Sequence, residues 1–192
     1  MRKKGIIFVI SAPSGSGKTT LYNNLLARVK GIARSVSCTT RAPRKGEIDG
    51  ADYHFISTKK FNELLEKGEF IEHARVFGNF YGTPASPLKK AINNGSNILL
   101  SIDVKGAMQI KKMFKDDSVL IFILPPSFKE LEERLKKRRT DSKQEIQKRL
   151  RIARQELSYL NKYDYAIVNN KLDNAVSQLL AVVTARHNKT RK

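Results

Sequence analysis

Gly5-Ile6-Ile7-Phe8-Val9-Ile10-Ser11-Ala12-Pro13-Ser14-Gly15-Ser16-Gly17-Lys18-Thr19-Thr20 decides how the rest of the chain is read. The first part, through Ser11, is an unbroken apolar run closed by turn residues, the pattern of a strand buried on both faces. Basic Arg2, Lys3 and Lys4 precede it, as in a secretory leader, but the run is too short and passes directly into a Gly-rich loop. A first strand is therefore expected. From about Lys18, Leu21, Leu25 and Val29 fall on one helical face, with Gly31 at the stop. Strand, Gly-rich turn and helix open a βαβ unit.

Within that turn, Ala12 to Thr19 fits the phosphate-loop pattern, with Ala where the first Gly usually stands. Glycines allow backbone N–H groups to wrap phosphate oxygens, and the helix N-terminus adds partial positive charge. Lys18 is expected to reach the β and γ phosphates of a nucleotide, and Thr19 to offer its hydroxyl to Mg²⁺. The loop follows a strand and opens a helix, which is the context this chemistry demands.

The 192 residues suit one domain with inserted parts, and 40% apolar residues suffice for a core, excluding a collagenous or wholly disordered chain. No run is long enough to cross a membrane. Cys38 is the only cysteine, so no intrachain disulfide can form, and a cytoplasmic location is expected. Lys and Arg number 37 against 18 Asp and Glu, a formal charge of +19, so polyanions are the expected partners. Charge alone does not separate nucleic acid from phosphorylated small molecules. No nucleic-acid-binding signature is present, and basic residues gather around the nucleotide motifs and the tail, so nucleotides are expected and nucleic acid is not.

Downstream, residues 34–86 alternate short β-like segments with turn signals. One helix is expected from near Ser57 to Gly68, then a strand over Phe70 to Val76 with a hairpin turn at Gly78-Asn79. Ser86-Pro87 reads as an N-cap followed by a first-turn proline, opening a helix that ends at Gly95. Ile98 to Ile102 and Val119 to Leu124 read as buried parallel strands. Ser127 to Glu130 and Ser142 to Glu145 are capping-box signatures. Residues 127–154 hold 11 Lys/Arg against 5 Asp/Glu. Tyr165 to Val168 is a last strand, and Leu172 to about His187 a closing amphipathic helix. The fold class is α/β: a phosphate-loop parallel sheet flanked by helices, with a small β-rich insertion and a helical lid.

A second anion site is expected at Thr39-Thr40-Arg41-Ala42-Pro43-Arg44, where two arginines three apart can clamp a phosphate in a way lysine cannot. Tyr53 and Tyr81, each beside turn residues, can add phenolic donors.

Thr39 to Ile56, TTRAPRKGEIDGADYHFI, closely resembles the guanylate kinase signature, and the resemblance runs along essentially the whole chain. It includes SVSCTTR, FIEHA at Phe70 to Ala74, YGT at Tyr81 to Thr83, IDVKGA at Ile102 to Ala107, and KRL at Lys148 to Leu150. It implies ATP-dependent phosphorylation of GMP, and of dGMP, for purine nucleotide and GTP supply, with Mg²⁺ as cofactor. Arg41, Arg44, Tyr53 and Tyr81 would hold the GMP phosphate, and Ser37, Glu72, Thr83 and Asp103 the guanine. ATP would lie on Ala12, Pro13, Ser14, Gly15, Ser16, Gly17, Lys18, Thr19 and Thr20, with Asn169 near its adenine. Arg134, Arg138 and Arg149 are the implied lid arginines, which with Lys18 and Arg41 would act on the transferring group. The implied division is a core of 1–33, 87–126 and 158–192, a GMP-binding insertion of 34–86, and a lid of 127–157.

Guanine offers N1–H and an exocyclic amine on one edge, and a single carboxylate can accept from both, which agrees with Glu72. Ser101, Arg139 and Asn170 depart from the family's usual residues; none is the loop lysine or an acceptor arginine. Two other readings share these motifs. A non-catalytic guanylate-kinase-like binding module typically lacks a working phosphate loop, whereas Gly17, Lys18 and Thr19 are all here. A related phosphate-loop kinase with another phosphorylated acceptor would not need Ser37, Glu72 and Thr83.

Overall fold

The structure is a computed structural model and describes residues 4–137 and 142–188. In chain order it contains β1 (Ile7–Ser11), α1 (Lys18–Arg28), β2 (Ile32–Arg34), β3 (Cys38–Thr39), β4 (His54–Phe55), α2 (Thr58–Glu66), β5 (Phe70–Val76) and β6 (Asn79–Pro84). There follow α3 (Ala85–Asn93), β7 (Asn97–Ser101), α4 (Val104–Phe114), β8 (Ser118–Leu124), α5 (Phe128–Lys137), α6 (Lys143–Leu157), β9 (Tyr165–Val168) and α7 (Leu172–Asn188). Strands alternating with helices, and parallel pairing of β2 with β7 and of β8 with β9, make this an α/β fold built on parallel sheet. The chain divides into two compact units: residues up to Ile7 with Gly31–Ser118, and Phe8–Lys30 with residues from Val119 onward.

In the first unit a four-stranded sheet runs β4-β3-β6-β5. β5 and β6 form an antiparallel hairpin that sets Glu72 opposite Thr83 and Ala74 opposite Tyr81. β3 lies on the other edge of β6, with Cys38 opposite Gly82 and Thr39 opposite Tyr81. Helix α2 starts at Ser57, whose side chain accepts from Lys60 N–H, and it buries Phe61 completely. That ring stacks on Phe70 at 4.6 Å and on Phe80 at 5.3 Å. Burying a phenylalanine stabilises by about 2–3 kcal/mol, so this cluster is what holds the helix onto the hairpin.

The hairpin turn differs by one residue from the sequence expectation. Val76 pairs with Asn79, so the two turn residues are Phe77 and Gly78, with φ of 49° and 86°. Two left-handed residues are what a two-residue hairpin with native twist requires, and Gly78 takes the second position without strain. α3 likewise begins earlier than expected, at Ala85 after Pro84, with no side-chain cap. Ser86 is not its N-cap, and Pro87 lies within the first turn, where its missing N–H has no intrahelical partner to lose. Helix α4 was not expected at all. Asp103 caps it by accepting from Gly106 N–H at 2.9 Å, and Val104, Ala107 and Ile110 form its buried stripe.

The second unit aligns β1, β8 and β9 in that order. β1 is buried throughout, as its unbroken apolar run requires. β8 is anchored to the approach to β9 by a reciprocal pair: Leu120 N–H donates to Asp164 Oδ2 at 2.8 Å, and Asp164 N–H donates to Leu120 O at 3.0 Å. α1 packs on α7, and α5 on α6. The Ser142–Glu145 capping box forms in full at α6. Ser127 accepts from Glu130 N–H, while Glu130 Oε1 takes Arg134 Nε at 3.0 Å.

Candidate active site

Between β1 and α1 the chain turns over Ala12–Gly17, with Gly15 at φ 98° and Gly17 at φ 85°. Gly17 is the N-cap of α1. It offers no side chain to the helix, and no acidic residue stands in the first turn. An anion placed at this end would meet the N–H groups of that turn and the positive end of the helix dipole. Lys18 and Thr19 are the first two residues of α1.

Behind the loop, Asn169 Nδ2 donates to Ser16 O at 2.8 Å, and a Cβ at Gly17 would overlap that amide nitrogen. Asn169 thus lies 8% exposed against the loop backbone. The Ser16 hydroxyl is buried with no hydrogen-bond partner. A Cβ at Gly15 would sit 3.0 Å from Leu131 and 3.2 Å from Leu135, both fully buried residues of α5. These leucines join Ile146 and Ala153 in one cluster that includes α6. The expected lid helices and the phosphate loop thus share packed side chains within one unit.

Two of the arginines expected in the lid touch this region. Arg149 Nη1 donates to Ser14 Oγ at 2.9 Å, and Arg134 Nη2 donates to Asn169 O at 3.2 Å. Arg138 lies outside the described residues, as do Arg139 and the last residues of the basic tail.

The first unit collects the other expected residues. Beyond β3, Arg41 Nη2 lies 2.9 Å from Glu47 Oε1 and 3.0 Å from Oε2, and Arg41 Nη1 donates to Ala42 O at 2.6 Å. Glu47 Oε2 also accepts the Arg44 N–H at 2.7 Å. Burial of the Arg41 guanidinium works against its charge, but hydrogen bonds with Glu47 and Tyr81 outweigh it and raise its pKa. The guanidinium carbon is 5.6 Å from the Tyr53 ring centre, and Tyr53 and Tyr81 meet edge to face at 5.9 Å. Burial raises the Tyr53 phenol, with Tyr81 and Glu47 adding and Arg41 and Arg44 opposing. Arg44, Tyr53 and Tyr81 thus gather around Arg41 through one loop and two strands.

Deeper in the same sheet, Glu72 is 3% exposed and accepts from Thr83 Oγ1 at 2.5 Å. Thr83 Oγ1 is in turn 3.2 Å from Ser37 Oγ. Ser37, Glu72 and Thr83 form one continuous polar chain. Asp103, at the head of α4, is brought to it through Gly106: a Cβ on that glycine would overlap Glu72 Oε2 and stand 3.3 Å from Asp103 Oδ1. Cys38 points into the core, its thiol raised by burial and then by Asp49, as suits a small buried residue rather than a nucleophile.

Sequence reasoning missed Glu47 and Gly106. Glu47 lies inside the signature stretch, six residues from Arg41, but a lone loop carboxylate has no pattern to mark it. Gly106 becomes a signal only once α4 is known, since a glycine inside a helix asks for a packing reason.

The family model for guanylate kinase matches residues 4–186. The chain is 47% identical over 183 residues to a guanylate kinase of Paramagnetospirillum magneticum, covering 95% of this chain and 86% of that one. It is 45% identical to the guanylate kinase of a Wolbachia from Brugia malayi, covering 95% and 94%. The crystal structure of guanylate kinase from Anaplasma phagocytophilum superposes with a TM-score of 0.84 at 40% identity, covering 98% of this chain and 89% of that one. A gluconokinase from Sinorhizobium meliloti superposes with a TM-score of 0.52 at 13% identity over 95% of this chain and 94% of that one, a likeness of fold alone.

Proposed function

The chain belongs to the guanylate kinase family and transfers a phosphoryl group from ATP to GMP, giving ADP and GDP, and we propose how its residues divide that work. ATP lies on Ala12 to Thr20, with backbone N–H groups and Lys18 on its phosphates and Asn169 supporting the loop from behind. GMP lies in the β-rich region of residues 34–86, its phosphate on Arg41, Arg44, Tyr53 and Tyr81, its base on Ser37, Glu72, Thr83 and Asp103. Residues 127–157 serve as the lid, and 1–33, 87–126 and 158–192 as the core. The observation that carries this reading is Glu72. A carboxylate 3% exposed, set beside Thr83 and Ser37, is an acceptor-only group of the kind that the two donors on the Watson–Crick edge of guanine call for.

The acceptor phosphate is itself largely anionic near neutrality, so the transfer needs no general base. Arg41 and Arg44 fix the attacking oxygen, Lys18 meets charge on the γ-phosphoryl group, and Arg134, Arg138 and Arg149 add positive charge as it moves. Arg149 reaches this task from α6, where its guanidinium now rests on Ser14 of the loop.

Guanylate kinases use ATP with a divalent metal. Among the described residues no three His, Cys, Asp or Glu side chains converge on a point, and Thr19 offers one neutral exposed hydroxyl at the head of α1. That donor fits a hard cation carried mainly by phosphate oxygens, as Mg²⁺ is. When bound, it neutralises charge shared between the β and γ phosphates. No helix of the described residues is long and apolar enough to cross a membrane. A lone buried thiol and nucleotide substrates support a cytoplasmic enzyme.

The test is ADP formation from Mg·ATP with GMP, dGMP, AMP, UMP and CMP, repeated with Glu72→Gln. Gln keeps the shape but loses the charge and presents one acceptor oxygen. kcat/KM for GMP should fall by about 1.5–3 kcal/mol, the scale of a hydrogen bond to a charged group, with ATP binding little changed. An unchanged GMP-to-AMP ratio would show that the base is read elsewhere.

A further inference from the structure

We infer that Gly106 is a positioning residue for guanine selectivity: its missing side chain is the space in which the Glu72 carboxylate sits. The inference rests on the assignment of Glu72 to the base.

Gly106 is the third residue of α4 and is buried. Its φ lies outside the left-handed region, so backbone conformation does not require glycine there. Alanine is the better helix former, so local stability does not favour glycine either. Space is the remaining reason. A Cβ on Gly106 would overlap Glu72 Oε2 and come within 3.0 Å of Glu72 Cδ. The other carboxylate oxygen is held by Thr83 at 2.5 Å. The carboxylate is therefore seated between a hydroxyl on β6 and the bare Cα of α4.

The helix has little freedom to retreat. One turn along α4, the Gln109 side chain bridges the backbone of His73, the neighbour of Glu72. Its Nε2 donates to His73 O at 2.9 Å, and its Oε1 accepts from His73 N–H at 3.3 Å. Asp103 ties the start of the same turn by accepting from Gly106 N–H. With β5 and α4 fastened on both sides of the contact, an added methyl displaces the carboxylate rather than the backbone. One glycine thereby sets Glu72 and lies against Asp103, two residues assigned to the guanine.

The experiment is Gly106→Ala, alone and combined with Glu72→Asp, which withdraws the carboxylate by one methylene. Gly106→Ala should lower kcat/KM for GMP by about ten- to a hundredfold, the cost of roughly an ångström of misplacement at a reacting complex. The GMP-to-AMP ratio should fall while the KM for ATP and the melting temperature hold. In the Glu72→Asp background the same alanine should cost much less, a non-additive cycle expected of atoms in contact. A wild-type GMP-to-AMP ratio in Gly106→Ala, or losses that simply multiply in the double variant, would overturn the inference. If Gly106→Ala alone does not fold, a folded double variant supports the clash with the carboxylate, and an equally unfolded one refutes it. Glu72→Gln separates the two levels: an unchanged ratio there removes the base assignment itself, whereas a changed ratio there with none in Gly106→Ala removes only the role of Gly106.

Discussion

Arg41 and Glu47 hold each other side by side in the loop after β3, one guanidinium nitrogen 2.9 Å and 3.0 Å from the two carboxylate oxygens. Their side chains are 14% and 20% exposed, so the pair is shielded enough to be more than a surface contact. Glu47 also accepts the Arg44 N–H, and thereby ties together, with one side chain, both arginines proposed to hold the acceptor phosphate.

Replacing that carboxylate should therefore disturb GMP more than ATP. Glu47→Gln keeps the length but loses the charge that orients Arg41. A hydrogen bond between charged groups is worth about 1.5–3 kcal/mol, so kcat/KM for GMP should drop by about tenfold or more, chiefly through KM. Steady-state kinetics with each substrate varied in turn checks this. Equal KM values for GMP in variant and parent would mean that Arg41 is placed by Tyr81 and Ala42 alone.

Asn169 should act on ATP through the loop it supports. Its amide satisfies the buried Ser16 carbonyl at 2.8 Å. Asn169→Ala leaves that carbonyl unpaired, which costs about 1–3 kcal/mol, and the loop should lose its fixed path. The expected result is a lower melting temperature and a raised KM for ATP, with the KM for GMP within about twofold of the parent's. Isothermal titration with an ATP analogue reads the affinity directly. Unaltered ATP affinity in a destabilised variant would confine Asn169 to the core.

Tyr53 should remain a phenol, and so a hydrogen-bond donor, through the alkaline range in which ordinary tyrosines ionise. Burial raises its pKa in the fold, so its neutral form is favoured there over the unfolded chain. The stability from that preference is fully present below the unfolded value of about 10 and is lost as pH rises through the raised folded value. Of the six tyrosines, Tyr53 should be among the last to give a phenolate signal in an ultraviolet titration. Tyr53→Phe should remove a late component; loss of an early one instead would contradict the burial seen here.

The phosphate loop was legible because everything it needs is contiguous. Ala12 to Thr19 carries its own turn glycines, its lysine and its helix start, and no distant residue chooses its type. The same holds for Ser57 at α2 and the Ser142–Glu145 box at α6, where cap and helix lie within four residues. Helix α4 was not legible, because Gly106 weakens its pattern and Asp103 drew attention as a base ligand rather than as an N-cap. The exact hairpin turn was also open, since Phe77-Gly78 and Gly78-Asn79 are separated only by the register Val76 takes with Asn79.

The acceptor side shows where sequence stops. Ser37, Glu72, Thr83 and Gly106 are scattered over three strand-forming segments and a helix, and no spacing among them is periodic. What brings Glu72 to Thr83 is the β5–β6 register, and what brings Ser37 to Thr83 is the pairing of the neighbouring Cys38 with Gly82. A slip of one residue in either pair would turn the polar side chains to the opposite face, because strand side chains alternate. The apolar pattern determined that such strands exist and which face is buried. The depth of Glu72 and the empty position of Gly106 beneath it were decided by tertiary packing, because a steric vacancy is a property of two surfaces and is written in neither segment alone.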